Sequence, residues 1–271
     1  MIIKKITPIL FLAFCLVACE DTIDVDLETT EPRLVIDAII GYNDNDGEPV
    51  TIGEVKLTLT TAFFDEEVPI ASGAEVALID ESTKTSYPLT ENEPGVFRDG
   101  IPNLEFNTEY TLRVVYQGET YEATTQLMRT GTINSVTQGD GYLFDEEEET
   151  EVIVDFSDVI GERNYYLFAF GFNNFLVTDD EYYIDEGLKF SYYYEEVEPG
   201  DLLTITLLGI DKDFADYTEQ ILTQSGEDGS GGFGIPPANV RGNFYNTTNP
   251  ENYAFGYFAI SEAEVALIRV Q

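Results

Sequence analysis

Residues 110–127 read Tyr110-Thr111-Leu112-Arg113-Val114-Val115-Tyr116-Gln117-Gly118-Glu119-Thr120-Tyr121-Glu122-Ala123-Thr124-Thr125-Gln126-Leu127. Two runs rich in β-branched and aromatic side chains flank Gln117-Gly118, and a Gly between such runs predicts a tight β-hairpin. Working outward, residues 54–61 alternate, with Val55, Leu57 and Leu59 on one side and Lys56, Thr58 and Thr60 on the other. That period of two is a half-buried strand. Residues 33–40 are apolar and β-branched. Residues 74–79 follow the turn Ala71-Ser72-Gly73, and residues 85–89 and 96–97 are parted by Glu93-Pro94-Gly95. About seven short strands with turns between them predict an immunoglobulin-like or prealbumin-like β-sandwich over residues 32–130.

A boundary falls near residues 129–134, and a second β-rich domain with one helix is expected over 131–271. Residues 151–156 begin a strand. Residues 164–172 form a strongly aromatic one, whose alternation gives Tyr166, Phe168, Phe170 and Phe172 a common face read as core. Residues 201–208 are another strand. In residues 211–224, Phe214, Tyr217, Ile221 and Leu222 recur at helical spacing, the best helix of the chain. Residues 225–234 are a Gly-rich loop that lacks the spacing and the Lys of a phosphate loop. Residues 253–260 and 264–270 read as two closing strands. The chain has 17 Tyr, 18 Phe and no Trp, which suits a mainly β fold.

The N-terminus decides topology relative to a membrane. Lys4 and Lys5 precede an almost wholly apolar run, residues 6–17, which ends in Leu16-Val17-Ala18-Cys19. The run is shorter than the roughly 20 residues a spanning helix needs, and Glu20 and Asp21 follow at once. The pattern predicts a lipoprotein signal peptide over residues 1–18, with Cys19 as the lipid-modified N-terminus of the mature chain. Acyl chains contribute about 0.8 kcal/mol per buried methylene, and two or more give stable anchoring. Residues 19–31 read as an acidic tether. An acidic segment directly after the lipid Cys resembles the surface-export signals of Bacteroidota lipoproteins, which implies the outer face of the outer membrane.

Composition narrows the chemistry. There is no His, and processing at Cys19 removes Cys15 and acylates the other Cys. No disulfide, no Cys–His or Ser–His–Asp mechanism and no Cys/His zinc site is then expected. The predicted signal takes two positive charges and no negative one, moving the net charge from −39 to −41. Such a surface repels nucleic-acid phosphates and anionic headgroups, so attachment to a membrane is left to the lipid.

Three clusters are candidate sites. Tyr42-Asn43-Asp44-Asn45-Asp46-Gly47 places Asp44 and Asp46 on calcium-ligand positions relative to Gly47. Tyr42 and Gly53, however, stand where an EF-hand needs its first Asp and last Glu, and a polar turn between strands is the plainer reading. The run Glu146, Glu147, Glu148 and Glu149 suits either a solvated loop or a site for a cation or basic partner. Asp179-Asp180-Glu181 and Glu195-Glu196 flank Tyr182, Tyr183 and the run Tyr192, Tyr193 and Tyr194. These tyrosines form a candidate recognition surface, since consecutive strand residues point to alternate faces. The acids would alternatively serve a carboxylate-based hydrolase if two of them faced across a cleft. In Arg241-Gly242-Asn243, Gly242 is expected to support a backbone turn and Asn243 a side-chain hydrogen bond.

Three stretches in order resemble a Bacteroidota family of outer-membrane lipoproteins, the domain-of-unknown-function family DUF4249. They are residues 31–37 (Glu31-Pro32-Arg33-Leu34-Val35-Ile36-Asp37), residues 154–158 with Asn164-Tyr165-Tyr166, and residues 236–243 with 256–261. The hairpin around Gly118 also fits. The resemblance implies no catalytic residues. It implies an accessory partner of a TonB-dependent outer-membrane transporter. The expectation is therefore a non-enzymatic, surface-exposed lipoprotein that needs no cofactor and helps take up a nutrient. A surface adhesin or structural module is the alternative, and a carboxylate-based hydrolase the third reading.

Overall fold

The computed structural model describes residues 31–271 except 46–47, 63–64, 66, 145–148, 173, 184, 196 and 226–239. The expected signal peptide, Cys19 and most of the tether lie outside the described residues. So do Asp46, Glu146, Glu147 and Glu148. The fold is mainly β, with seventeen strands and one helix among the described residues.

The hairpin that opened the reading forms as expected. It joins β8 (Glu109–Tyr116) to β9 (Glu119–Met128), and Tyr116 pairs with Glu119. Gln117 (φ 50°) and Gly118 (φ 83°) are both left-handed, as a two-residue type I′ loop requires. Together with β4 (Glu75–Asp80) and β5 (Thr85–Pro88) this hairpin makes one sheet, in the order β5-β4-β8-β9. The facing sheet contains β1 (Leu34–Asn45), β3 (Val55–Leu59), β7 (Val96–Asp99) and β6 (Thr90–Glu93). Between the sheets lies a core to which Ile36, Ala38, Val55, Leu57, Leu78, Leu112, Val114 and Ala123 each contribute a fully buried side chain.

β1 runs on through Tyr42 to Asn45, and β2 (Glu48–Ile52) pairs back along it. The polar loop or calcium loop expected over 42–47 is therefore strand up to Asn45. Tyr42 is buried, and Asp44 sits opposite Pro49 in the ladder. β2 and β3 lie end to end on one edge of β1. The break between them is Gly53 (φ 100°), where a Cβ would stand 2.4 Å from the Ile39 carbonyl oxygen.

The second half forms its own two layers. β10 (Thr132–Gln138), β11 (Glu149–Ser157) and β14 (Leu188–Glu195) make a three-stranded antiparallel sheet. It packs on β13 (Phe175–Asp179), β12 (Tyr165–Ala169) and β15 (Leu202–Ile210), which pair in that order. The aromatic core between them holds Phe156, Tyr166, Phe168, Phe170 and Tyr194. Phe172 does not join that face. Gly171 (φ 75°) and Phe172 (φ 52°) turn the chain after Phe170, and the Phe172 side chain is 73% exposed.

The short β16 (Tyr245–Asn246) adds to β9, and β17 (Phe255–Arg269) closes the molecule. β17 is one strand of 15 residues where two were expected. Its first half pairs parallel with β1 and its second half antiparallel with β15. The change of pattern near Ser261 reflects a change of surroundings and no turn. Residues 256–261 are covered on both faces, whereas beyond Ala263 one face is open. Residues 32–271 make one compact unit. The expected division at 130/131 marks a change of core, yet Phe244, Ala254, Phe258 and Ile260 return to the first core.

Candidate functional site

α1 (Lys212–Ser225) starts immediately after Asp211, whose Oδ1 accepts the Phe214 backbone N–H at 2.7 Å, an N-cap. Burial pushes the Asp211 carboxyl above its ordinary range. Phe214 and Ala215 are the helix's buried residues, and they pack with Leu167 of β12, Leu208 and Ile210 of β15 and Tyr257 of β17. The next turns of the same face, Tyr217, Thr218, Ile221 and Leu222, do not close onto the sheet. They roof a groove of about 420 Å³.

The floor of that groove is the outer face of β1, which presents Val35, Asp37 and Ile39 by strand alternation. Leu167, Phe175 and Tyr257 complete the walls. Three rings gather there, Tyr257 lying 4.8 Å from Phe214 and 4.9 Å from Tyr217, centroid to centroid. Among the described residues, Asp37 is the groove's one charged side chain. Burial among the walls raises its pKa first, Lys56 opposes this and Glu54 adds to it. By surface area the Asp37 side chain is exposed, so the carboxylate stands on the open floor of the groove, in contact with water. Burial likewise raises the Tyr217 and Tyr257 phenols, with Asp37 contributing at Tyr217.

Tyr217 and Tyr257 also line a neighbouring polar recess of about 320 Å³ with Asp213, Asp216, Gln220, Arg241 and Asn243. Asn243 works as expected: its amide donates to the Phe258 carbonyl at 2.8 Å and accepts the Phe258 N–H at 2.9 Å. Gly242 serves differently from expectation. It has no left-handed φ, and a Cβ there would stand 1.5 Å from the Gly256 carbonyl oxygen, so it permits a close backbone approach. The Arg241 and Arg33 guanidinium groups lie 3.5 and 4.0 Å from the centroid of one ring, Tyr253, a cation–π pair that ties the start of β1 to the approach to β17.

The candidate recognition tyrosines scatter. Tyr182 is 92% exposed, but Tyr183 and Tyr194 are core residues. Burial pushes the Tyr183 phenol up to about 12, and the Tyr194 hydroxyl donates to the Phe170 carbonyl at 2.9 Å. Tyr192 stacks on Phe170 at 3.9 Å, and Tyr193 lies opposite Glu151. The hydrophobic demand of the three-stranded sheet took most of what the sequence offered as a surface. Glu149, the first residue of β11, accepts the Leu143 N–H at 2.6 Å.

Glu196 lies outside the described residues, and among the described acids none pair across a cleft. Asp179 and Glu181 both reach Arg163, at 3.0 and 3.5 Å. Asp180 is fully buried, and its Oδ2 accepts the Asn164 N–H at 2.8 Å. These residues adjoin Tyr165, the start of β12. Glu195 belongs to the other end, where Tyr194 meets Phe170. The intervening strand spans roughly 17 Å at about 3.3 Å per residue, beyond the separation used in glycoside hydrolysis. Among the described residues no group of three or more acidic side chains is placed to hold a metal ion, and no helix is long and apolar enough to cross a membrane.

The family described as Domain of unknown function (DUF4249) matches residues 20–265. The chain belongs to the DUF4249 family. The stretches that carried the resemblance meet around the groove and its adjoining recess: Leu34 to Asp37 on β1, Arg241 to Asn243 in the recess, and Gly256 to Ser261 on β17. The remaining stretch, in this DUF4249 chain, builds a latch in which the Tyr166 hydroxyl and the Asp185 N–H both donate to Asp158. No curated protein matches the chain. Among solved structures, the chicken interferon gamma receptor alpha chain aligns at 9% identity over 67% of this chain and 90% of that chain, with a TM-score of 0.20. Sequence reasoning missed Asp37 as a site residue. Its signal was a lone acid between Val35 and Ile39 on the outer side of an otherwise apolar strand.

Proposed function

We propose that this chain is a non-enzymatic, lipid-anchored binding protein on the outer face of the outer membrane, working beside a TonB-dependent nutrient transporter. The observation that carries the reading is the groove under α1. It is an apolar, aromatic-lined concavity with a single charge among the described residues, the usual make-up of a small-ligand site. Its floor is the first described strand, so the groove sits close in sequence to the predicted anchor at Cys19. Acyl chains there would hold an acidic body that anionic headgroups otherwise repel.

The test has two parts. Mass spectrometry of the native protein should show the chain starting at Cys19 with its sulfur acylated, and surface labelling of intact cells should reach it. Capture from detergent-solubilised outer membrane should recover a TonB-dependent transporter in stoichiometric amount. An unmodified N-terminus, or capture of the chain alone, would overturn the reading. A surface adhesin is the second reading. It is favoured by apolar side chains left in solvent at Phe144 (89% exposed) and Phe172, and binding of the purified chain to cells or matrix with no transporter would support it.

A further inference from the structure

We propose that the groove under α1 takes an apolar organic cation, an amine carried on a hydrophobic or aromatic body, with the Asp37 carboxylate as its counter-charge. This deepens the binding reading above and rests on it.

Three observations carry the proposal. First, Asp37 makes no hydrogen bond or ion pair with any described residue. Lys56 faces it across the β1–β3 pair without closing to ion-pair distance. The nearby Glu54 is engaged by Arg98 at 2.7 Å. In a chain with four acids for each base, an unpaired carboxylate on a solvated surface would be ordinary. This one stands between Val35 and Ile39 and beneath Ile221, Leu222 and Tyr217. The side chain is itself exposed, so its charge stays open to a cation that enters among these apolar walls.

Second, the walls suit the rest of such a ligand. Leu167, Phe175, Ile221 and Leu222 supply apolar contact, and the Tyr217 and Tyr257 rings stand beside the acid. Aromatic faces attract cations through the ring quadrupole, by about 0.5–2 kcal/mol depending on desolvation. Third, the surroundings select the sign. The adjoining recess carries Asp213, and Asp216 ion-paired with Lys212 at 2.5 Å, while Arg241 is laid over the Tyr253 ring. The net charge of −39 steers cations toward the body and anions away from it.

The experiment is isothermal titration of the full chain in detergent micelles with phenethylammonium, and with its anionic and neutral counterparts 3-phenylpropanoate and 2-phenylethanol, each corrected against empty micelles. Phenethylammonium should bind saturably at one site per chain, at least tenfold more tightly than either counterpart. Asp37→Asn should remove that preference. Ile221→Ser should weaken all three probes without changing their order. Equal binding of the three probes, or a preference that survives Asp37→Asn, would overturn the proposal. Absence of saturable binding would overturn it as well. If that absence came with a dimer in sedimentation that Ile221→Ser dissolves, the groove would belong to a second copy of the chain. Transporter capture is read separately, so loss of the ligand class leaves the anchored binding role standing or falling on its own test.

Discussion

Asp37 puts a charge on the outer face of β1 where its strand neighbours Val35 and Ile39 are apolar. Because its folded-state pKa is raised, the folded chain takes up a proton more readily than the unfolded one. The ionised form therefore weakens the fold at neutral pH, and the penalty fades as pH falls through the raised value toward the ordinary carboxyl range. Asp37→Asn is expected to raise the urea midpoint at pH 7 and to lose that advantage in acid, the trade of stability for a site seen where function sets a residue. An unchanged midpoint at pH 7 would show that solvent at this exposed carboxylate cancels the effect of the apolar walls. Glu119 shows the opposite sign. It accepts from the Tyr121 hydroxyl (2.8 Å) and from the amides of Asn246, Asn249 and Asn252 (2.9, 3.1 and 2.6 Å). The Tyr121 bond, foremost among these, holds its pKa down. That stability is present above the ordinary glutamate value, about 4.3, and is lost as pH falls through the lowered folded value. Glu119→Ala should cost about 1–3 kcal/mol in urea unfolding at pH 7, because it leaves several donors unpaired, and the difference should shrink in acid. Neither residue was legible in the sequence. Each acts through partners far along the chain, and local pattern carries no record of those.

Among the elements, β17 bears the most. Gly256 has φ 94°, and a Cβ there would lie 2.0 Å from the Ile36 carbonyl oxygen. Gly256→Ala combines a strained backbone with a clash against β1, so a loss of about 3 kcal/mol or more is expected in chemical denaturation. A loss below about 1 kcal/mol would mean that β17 can shift without disturbing β1. The helix offers a gentler comparison. Asp211→Ala removes the cap on Phe214 and should cost about 1 kcal/mol. Strands with clean alternation, such as 55–59 and 110–127, and the helix with its apolar spacing, were readable because their neighbours impose one buried face. β13 and β14 were not. In β14 the row Tyr192, Tyr193, Tyr194 has no polar partner residues to reveal which ring turns inward, and the answer came from Phe170 across the core.

The whole body is held by that shared strand. Because β17 contributes Phe258 and Ile260 to the first core and Val270 follows it into the second, the two cores should melt together. Urea unfolding followed by tyrosine fluorescence and by far-ultraviolet circular dichroism is expected to give one coincident transition. Two separated transitions would show that β17 does not couple the cores. Net charge also acts at this scale. Self-repulsion at −39 destabilises the compact state, so moderate salt should raise the melting temperature by screening it.

Composition, periodicity and turn chemistry by themselves determined that this chain is mainly β, that a hairpin turns at Gln117-Gly118, that a helix covers residues near 212–225, and that no chemistry of the chain runs through His. These are local properties, set by backbone preference and by which side of a strand or helix is apolar. Only the tertiary structure decided that β17 is one strand serving two cores, that Tyr183 and Tyr194 are interior, and that Asp37 faces a groove roofed by α1. Those outcomes depend on which distant surfaces meet, and burial competes for the same aromatic and acidic residues that a reading of the sequence would assign to a site.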